Sequence, residues 1–313
     1  MEKIKLIIVG FGNRGQLFGE YALSSENTEL VAIADVNAEA RKKAIERFGI
    51  KPENCFADAD EIFAKGKIAD AAFICTQDKQ HIDHAITAMR LGYDICLEKP
   101  IATTMKDCEE ILKVQKETGR KAMICHVLRY SPFYMKMREV IKSGEIGDVV
   151  TISQTENVAY WHDAHSYVRG AWRNKEESSP MILAKCCHDL DIIFWLLGKK
   201  CKKVSSFGDL YYFKKENAPE GSADRCFKCD KTVRKDCPYD AFKIYNDIYK
   251  AYNPILGNAM DFRGTRREYI DKLLSDETYP YGRCVFACDN DVVDHQVVNM
   301  LFEGNVTAQL TMT

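Results

Sequence analysis

Short apolar, β-branched runs alternate with amphipathic segments through the first 128 residues, and this alternation restricts the fold more than any other feature of the chain. Residues 4–9, 30–34, 71–75, 94–97 and 122–126 read as buried strands, and 15–23, 38–48, 80–91 and 105–118 read as the helices between them. A helix after each strand carries the chain back across the sheet, so the strands run parallel; their lack of polar alternation means that both faces are covered. The expectation is an α/β domain over residues 1–128, a doubly wound parallel sheet. A helix at 131–143, capped by Ser131, opened by Pro132 and stopped at Gly144, leads onward.

Beyond it the pattern changes. A strand at 149–155 precedes an aromatic- and His-rich stretch, a helix at 180–197 and strands at 285–287 and 296–303. Strands without alternating helices predict an α+β domain over 129–313, a mostly antiparallel β-sheet with one helix packed on it. A polar, Tyr- and Lys-rich segment at about 208–283 reads as an insertion into it, too polar for a core of its own. Residues 305–313 read as a mid-sheet strand, so the chain is expected to be truncated or to continue. Two domains suit 313 residues. A net charge of −2 provides no basic surface for nucleic acid. Without a leader-like start or a run of about 20 apolar residues, no membrane partner is expected, and the protein is expected to be soluble and cytoplasmic.

Directly after the first strand comes Gly10-Phe11-Gly12-Asn13-Arg14-Gly15, a GxGxxG turn opening a helix. Gly10 allows the tight turn, Gly12 the approach of a pyrophosphate to the backbone, and Gly15 close packing of helix on strand. The helix N-terminus offers free N–H groups and partial positive charge to phosphates. Asp35 closes the second strand, where a carboxylate accepts from ribose hydroxyls and repels a 2′-phosphate. The expected cofactor is therefore NAD rather than NADP, in a Rossmann domain.

Glu98-Lys99-Pro100 follows the strand at 94–97, after Cys75-Thr76 at the end of the third strand and His81 five residues on. With Arg129-Tyr130-Ser131-Pro132, Gly144-Glu145-Ile146-Gly147, Trp172-Arg173 and His188-Asp189-Leu190-Asp191 in the same order, nearly the whole chain resembles the glucose-fructose oxidoreductase / inositol dehydrogenase / MocA-type (Gfo/Idh/MocA) family. The resemblance implies an NAD(P)-dependent dehydrogenase that moves hydride between nicotinamide and a CH–OH carbon of a sugar, polyol or sugar-derived substrate, with the nicotinamide between the domains. It implies Lys99 as the active-site lysine, His188 as the catalytic histidine, and Thr76, Gln77, His81, Glu98 and Lys99 at the cofactor. Those types suit the chemistry: an imidazole takes the hydroxyl proton and a cation stabilises charge on the oxygen. It also implies a homodimer or homotetramer through the second sheet.

The sequence departs from the family at one place. The aspartate expected four residues before the histidine is Ala184, with Ser179-Pro180 and Cys186 around it in place of glycines. On a continuous helix Ala184, Lys185, His188 and Asp191 share a face, so Lys185 either adds a cation to the pocket, favouring an anionic substrate, or snorkels to solvent. Tyr160-Trp161-His162-Asp163-Ala164-His165, with Arg169, Trp172 and Arg173, offers aromatic faces and donors for a hydroxylated ligand, or else packs domain against domain; His162, Trp172 and Arg173 are the expected substrate contacts. Two other functions use the same residues: a glycoside hydrolase or lyase with transient oxidation, and a catalytically silent NAD-binding sensor.

The 13 cysteines are too scattered for a disulfide framework. Cys226, Cys229 and Cys237 stand apart: three thiols within 12 residues are spaced like metal-ligand knuckles. They read either as a structural zinc site, completed by Cys201, Cys284, Cys288 or a histidine, or as uncoordinated thiols.

Overall fold

The computed structural model describes residues 2–249, 254–255 and 264–313, so 250–253 and 256–263 of the expected insertion lie outside the described residues. The chain divides into two compact units, Met1–Val127 and Leu128–Thr313. Among the described residues no helix is long and apolar enough to cross a membrane.

In the first unit six parallel strands stand in the order β3-β2-β1-β4-β5-β6: β1 (Ile4–Val9), β2 (Thr28–Ala34), β3 (Cys55–Phe56), β4 (Ala71–Ile74), β5 (Asp94–Leu97) and β6 (Ala122–Ile124). Helices α1 (Asn13–Ser24), α2 (Ala38–Phe48), α3 (Ala59–Phe63), α4 (His81–Arg90) and α5 (Met105–Thr118) make the crossovers. Local chemistry sets their ends. Asn37 accepts from the Glu39 N–H to start α2, Thr104 accepts from the Asp107 N–H to start α5, and Gly49 and Gly119 stop them in left-handed conformation. Alternate residues of β1 enter two cores, Ile7 and Val9 with Ala72, Ile74 and Leu97, Leu6 and Ile8 with Phe11, Leu30 and Ile33. Each fully buried Ile or Leu contributes about 1.5–3 kcal/mol. The strand order turns back between β1 and β4, the place where open α/β sheets leave a crevice at the strands' carboxyl ends.

The second unit opens with α6 (Pro132–Ser143) and holds a four-stranded sheet in the order β7-β10-β9-β8, built from β7 (Thr151–Glu156), β8 (Cys201–Asp209), β9 (His295–Phe302) and β10 (Thr307–Met312). Only the β7–β10 pair is parallel. Val298, Met300, Phe302, Leu310 and Met312 face the core, while Ser153, Asn299, Thr307 and Gln309 lie exposed on the other side. Helices α7 (Tyr160–Asp163), α8 (Met181–Ala184), α9 (Cys187–Leu197), α10 (Lys231–Asp236), α11 (Ala241–Lys243) and α12 (Arg266–Leu274) complete the described elements used below.

Three expectations are corrected here. The helix at 180–197 is two helices: at Lys185 (φ −112°, ψ −58°) and Cys186 (φ −83°, ψ 2°) the chain leaves helical geometry, and the Cys186 N–H reaches back to the Met181 carbonyl. Residues 285–287 form a 3₁₀ turn rather than a strand, because Val285 and Phe286 bury in an aromatic cluster with Phe213 and Tyr239. The 208–283 segment is less polar in its interior than expected: Phe213, Ile244, Tyr245, Ile270 and Leu274 are buried in a core shared with Ala164, Val168, Val285 and Phe286.

Candidate functional site

The crevice of the first unit is a cleft of about 350 Å³, with Gly10, Gly12, Asp35, Thr76, Gln77 and His84 in its walls. Gly10 has φ +89°, and a Cβ there would stand 2.6 Å from the Cys75 carbonyl oxygen, so only glycine fits where the turn crosses the end of β4. Gly15 lets α1 seat on the turn, since a Cβ there would meet the Gly10 oxygen at 2.2 Å. At Gly12, the residue before Asn13 opens α1, a Cβ would meet no atom of the described residues within 4 Å beyond its chain neighbours: the crowding that excludes side chains elsewhere is absent, and the space is the cleft's.

Asp35 is tied to the turn. Its Oδ2 accepts from the Phe11 N–H at 2.6 Å and its Oδ1 from the Asn37 N–H at 2.8 Å, leaving further lone pairs on both oxygens. Arg14, one residue into α1, is anchored through Nε, which donates to Glu98 Oε1 at 2.7 Å, while its side chain keeps 41% exposure. The other Glu98 oxygen accepts the Lys99 N–H at 3.2 Å, so one buried carboxylate joins the glycine turn to the turn that carries Lys99. His81 is buried, with Nδ1 2.7 Å from the Pro100 carbonyl and Nε2 3.1 Å from that of Thr76, and thus braces the rim rather than opening onto it. His84, one turn along α4, approaches Thr76 Oγ1 at 3.0 Å through Nδ1, and burial lowers its pKa.

In the second unit Lys185 forms a 2.6 Å pair with Glu156 of β7, so the expected extra positive charge is neutralised. The helix break also removes the helical spacing that placed Lys185 on one face with His188. His188 is the second residue of α9. Its neighbour Asp189 is buried, accepts from Gln154 Nε2 at 2.7 Å, and is pushed up to about 6 by burial and then by the charge of Glu156. Asp191 holds Arg129 through two bonds of 2.6 and 2.8 Å.

The aromatic stretch divides. Arg173 engages Asp289 through two bonds of 2.8 and 2.9 Å and Glu177 at 3.1 Å; the Arg173 bonds, with that of Arg283, hold the Asp289 carboxyl well below the usual range. His162 meets Trp161 and Tyr167 edge-on, and Trp172 packs against the core beneath the sheet. Arg169 is buried and donates to the Arg283 and Tyr239 carbonyls. His165 likewise belongs to the core, bonded to the Tyr245 hydroxyl at 2.8 Å and stacked on Tyr281, and burial lowers it to about 4.

Cys226, Cys229 and Cys237 line one small cavity with Cys284, yet among the described residues no group of three or more His, Cys, Asp or Glu stands at metal-binding geometry. The spacing alone therefore does not establish the zinc reading.

Sequence reasoning passed over His84, Asp58, Asp60 and Gln80 in the cleft wall, and Glu156 beside Lys185. His84 carried a signal, lying three residues after His81 on one helix. Glu156 carried none, since only the sheet brings β7 to residue 185.

A model of the oxidoreductase family with NAD-binding Rossmann fold matches residues 4–126, and one of the GFO/IDH/MocA C-terminal domain matches residues 134–231. The chain is 25% identical over 267 residues to YteT of Bacillus subtilis (strain 168), covering 84% of this chain and 59% of YteT. It is also 25% identical over 207 residues to inositol 2-dehydrogenase of Salmonella typhimurium (strain LT2), covering 65% of this chain and 57% of the relative. It thus spans under three fifths of the length of either relative. In fold it matches scyllo-inositol dehydrogenase of Lactobacillus casei, solved with NAD(H) and scyllo-inositol, at a TM-score of 0.65 and 19% identity over 99% of this chain and 69% of that one. Rossmann sheet, second sheet and both family models agree: the chain belongs to the Gfo/Idh/MocA oxidoreductase family.

Proposed function

We propose that the chain provides the catalytic units of an NAD-dependent dehydrogenase acting on a CH–OH group of an inositol, sugar or related polyol. The observation that carries this is the cleft at the carboxyl ends of β1, β2 and β4, where Gly10 admits no side chain, Gly12 faces open space and Asp35 presents a carboxylate. These features fit a dinucleotide: free N–H groups of α1 for the pyrophosphate, and Asp35 for a ribose without a 2′-phosphate. Asn13, Thr76, Gln77 and Glu98 complete the proposed cofactor contacts.

When bound, NAD supplies the hydride acceptor. The chain's own residues manage the proton and the charge. His188 takes the hydroxyl proton as general base, and the Lys99 ammonium stabilises the oxygen as it becomes a carbonyl. Glu98 positions Lys99 by holding its main-chain N–H. Paired to Glu156, Lys185 orients the pocket without adding net charge, which favours a neutral polyol over an anionic substrate. Assembly of copies through the exposed face of the second sheet is part of the same proposal, supported by the polar but uncovered row at Ser153, Asn299, Thr307 and Gln309.

The test is NADH formation by the full-length protein across inositols, sugars, sugar acids and glycosides, with Lys99→Ala beside it. The expected result is stoichiometric NADH with a neutral polyol, and a variant that binds NAD normally but turns over at least ~10²-fold more slowly. Substrate cleavage without net NADH, or undiminished turnover by the variant, refutes the reading.

A further inference from the structure

Four thiols from separate parts of the 208–288 region face one space. Cys226 opens a 3₁₀ turn, Cys226–Lys228, that Cys229 follows; Cys237 ends α10; and Cys284 precedes the turn Val285–Ala287. With Arg169 they line a cavity of about 20 Å³, room for one atom-sized guest. The fold holds the cysteine-bearing segments together: Arg225 and Arg283 form an antiparallel bridge, and the Cys284 N–H donates to the Asp224 carbonyl at 2.8 Å. Two sulfurs accept main-chain N–H bonds, Cys226 from Ala241 at 3.4 Å and Cys229 from Ala223 at 3.1 Å, the kind of support that steadies metal-bound thiolates.

Arg169 supplies a second, independent observation. It is 1% exposed, its donors reach the Arg283 and Tyr239 carbonyls and Cys226 Sγ, and its Nη1 has no hydrogen-bond partner among the described residues. No described carboxylate pairs with it. Asp240, also in the cavity wall, is paired with Arg234 at 3.2 Å. A guanidinium withdrawn from water needs a counter-charge, and neutral thiols and carbonyls do not provide one.

We infer that Cys226, Cys229, Cys237 and Cys284 bind one thiophilic divalent cation of the zinc type, whose thiolate shell is the counter-ion of Arg169. Four thiols release four protons to solvent as four metal–sulfur bonds form, nothing is oxidised or reduced, and the resulting centre carries two negative charges. The thiols do not stand at ligand geometry beforehand, so binding requires their side chains to rearrange around the ion. The segment also has an apolar core, so the ion adds to its stability rather than replacing a core. The cavity belongs wholly to the second unit, so the site stands or falls apart from the proposed redox chemistry.

The experiment is elemental analysis of the full-length protein purified without chelator, followed by chelation and titration with cobalt(II). The expected result is about one zinc per chain and, with cobalt, the near-ultraviolet thiolate-to-metal bands of a tetrahedral sulfur site. Cys237→Ser should lose the ion and the bands while Cys288→Ser keeps both; if Cys237→Ser fails to fold, the wild-type stoichiometry and cobalt spectrum decide. Wild-type protein with no bound metal and no thiolate bands, or a folded Cys237→Ser variant with both unchanged, overturns the inference.

Discussion

Gly10→Ala and Gly12→Ala, two methyl additions separated by a single residue, should fail in different ways. At Gly10 the added methyl would lie 2.6, 2.7 and 2.8 Å from three main-chain atoms of Cys75 and Thr76, and the φ of +89° disfavours any L side chain. The conformational part costs about 1–2 kcal/mol, and displacing the end of β4 adds about 1–3 kcal/mol, as overpacking does. Gly10→Ala should therefore lose ~2–5 kcal/mol of stability and, with the cleft wall displaced, bind NAD at least tenfold more weakly. At Gly12 the backbone is extended (φ −71°, ψ −157°) and, chain neighbours aside, no atom of the described residues lies within 4 Å of an added Cβ, so stability should change by less than ~0.5 kcal/mol. The methyl would instead occupy the path of a pyrophosphate, weakening NAD by roughly tenfold or more, ~1.4 kcal/mol. Urea unfolding followed by circular dichroism measures the first quantity, and calorimetric titration with NAD the second. Wild-type stability in Gly10→Ala, or wild-type NAD affinity in Gly12→Ala, would refute the assignment of this turn to a dinucleotide.

Two further outcomes concern charge in the second unit. Burial, and then the nearby Asp294, pushes the Asp163 carboxyl from an ordinary 3.8 up to about 7, so the folded chain keeps a proton that the unfolded chain releases. Its stabilising effect is complete below about 4 and is lost as pH rises through 7; Asp163→Asn should flatten the fall in unfolding free energy over that window, and an unchanged slope would contradict the assignment. Glu156→Gln leaves the three-quarters-buried Lys185 without its 2.6 Å partner and should cost about 1–3 kcal/mol, most of it recovered in Glu156→Gln with Lys185→Met, as denaturant titration of the double-mutant cycle would show.

Strand and helix positions in the first unit were legible because a βαβ chain writes its periodicities locally: the runs at 4–9, 38–48, 94–97 and 105–118 coincide with β1, α2, β5 and α5. The two-residue β3 is too short to leave such a trace. In the second unit the reading weakened where tertiary packing decides. β8, Cys201–Asp209, is almost entirely exposed and carries lysine and serine where a buried strand would carry apolar residues, so it was missed. The apolar triplet 285–287 looked like a strand because a plug for an aromatic cluster has the same composition as a buried strand. Site residues followed the same division. The glycine turn, Asp35 and Glu98-Lys99-Pro100 are contiguous motifs, whereas the partners that redefine Lys185, Arg173 and Arg169 lie 29, 116 and 114 positions away and left no mark near them.

The pairing of β7 with β10 bears on how the molecule is made. Thr151 and Thr307 touch across 156 steps of chain, while each strand of the first unit pairs with the strand just before or just after it in sequence. Closing so distant a contact carries a large entropic toll before any contact rewards it. During synthesis the amino-terminal sheet can consolidate early, whereas β7 emerges unpaired and waits for a partner made 156 positions later, an interval in which its edge is open to pairing with the wrong strand.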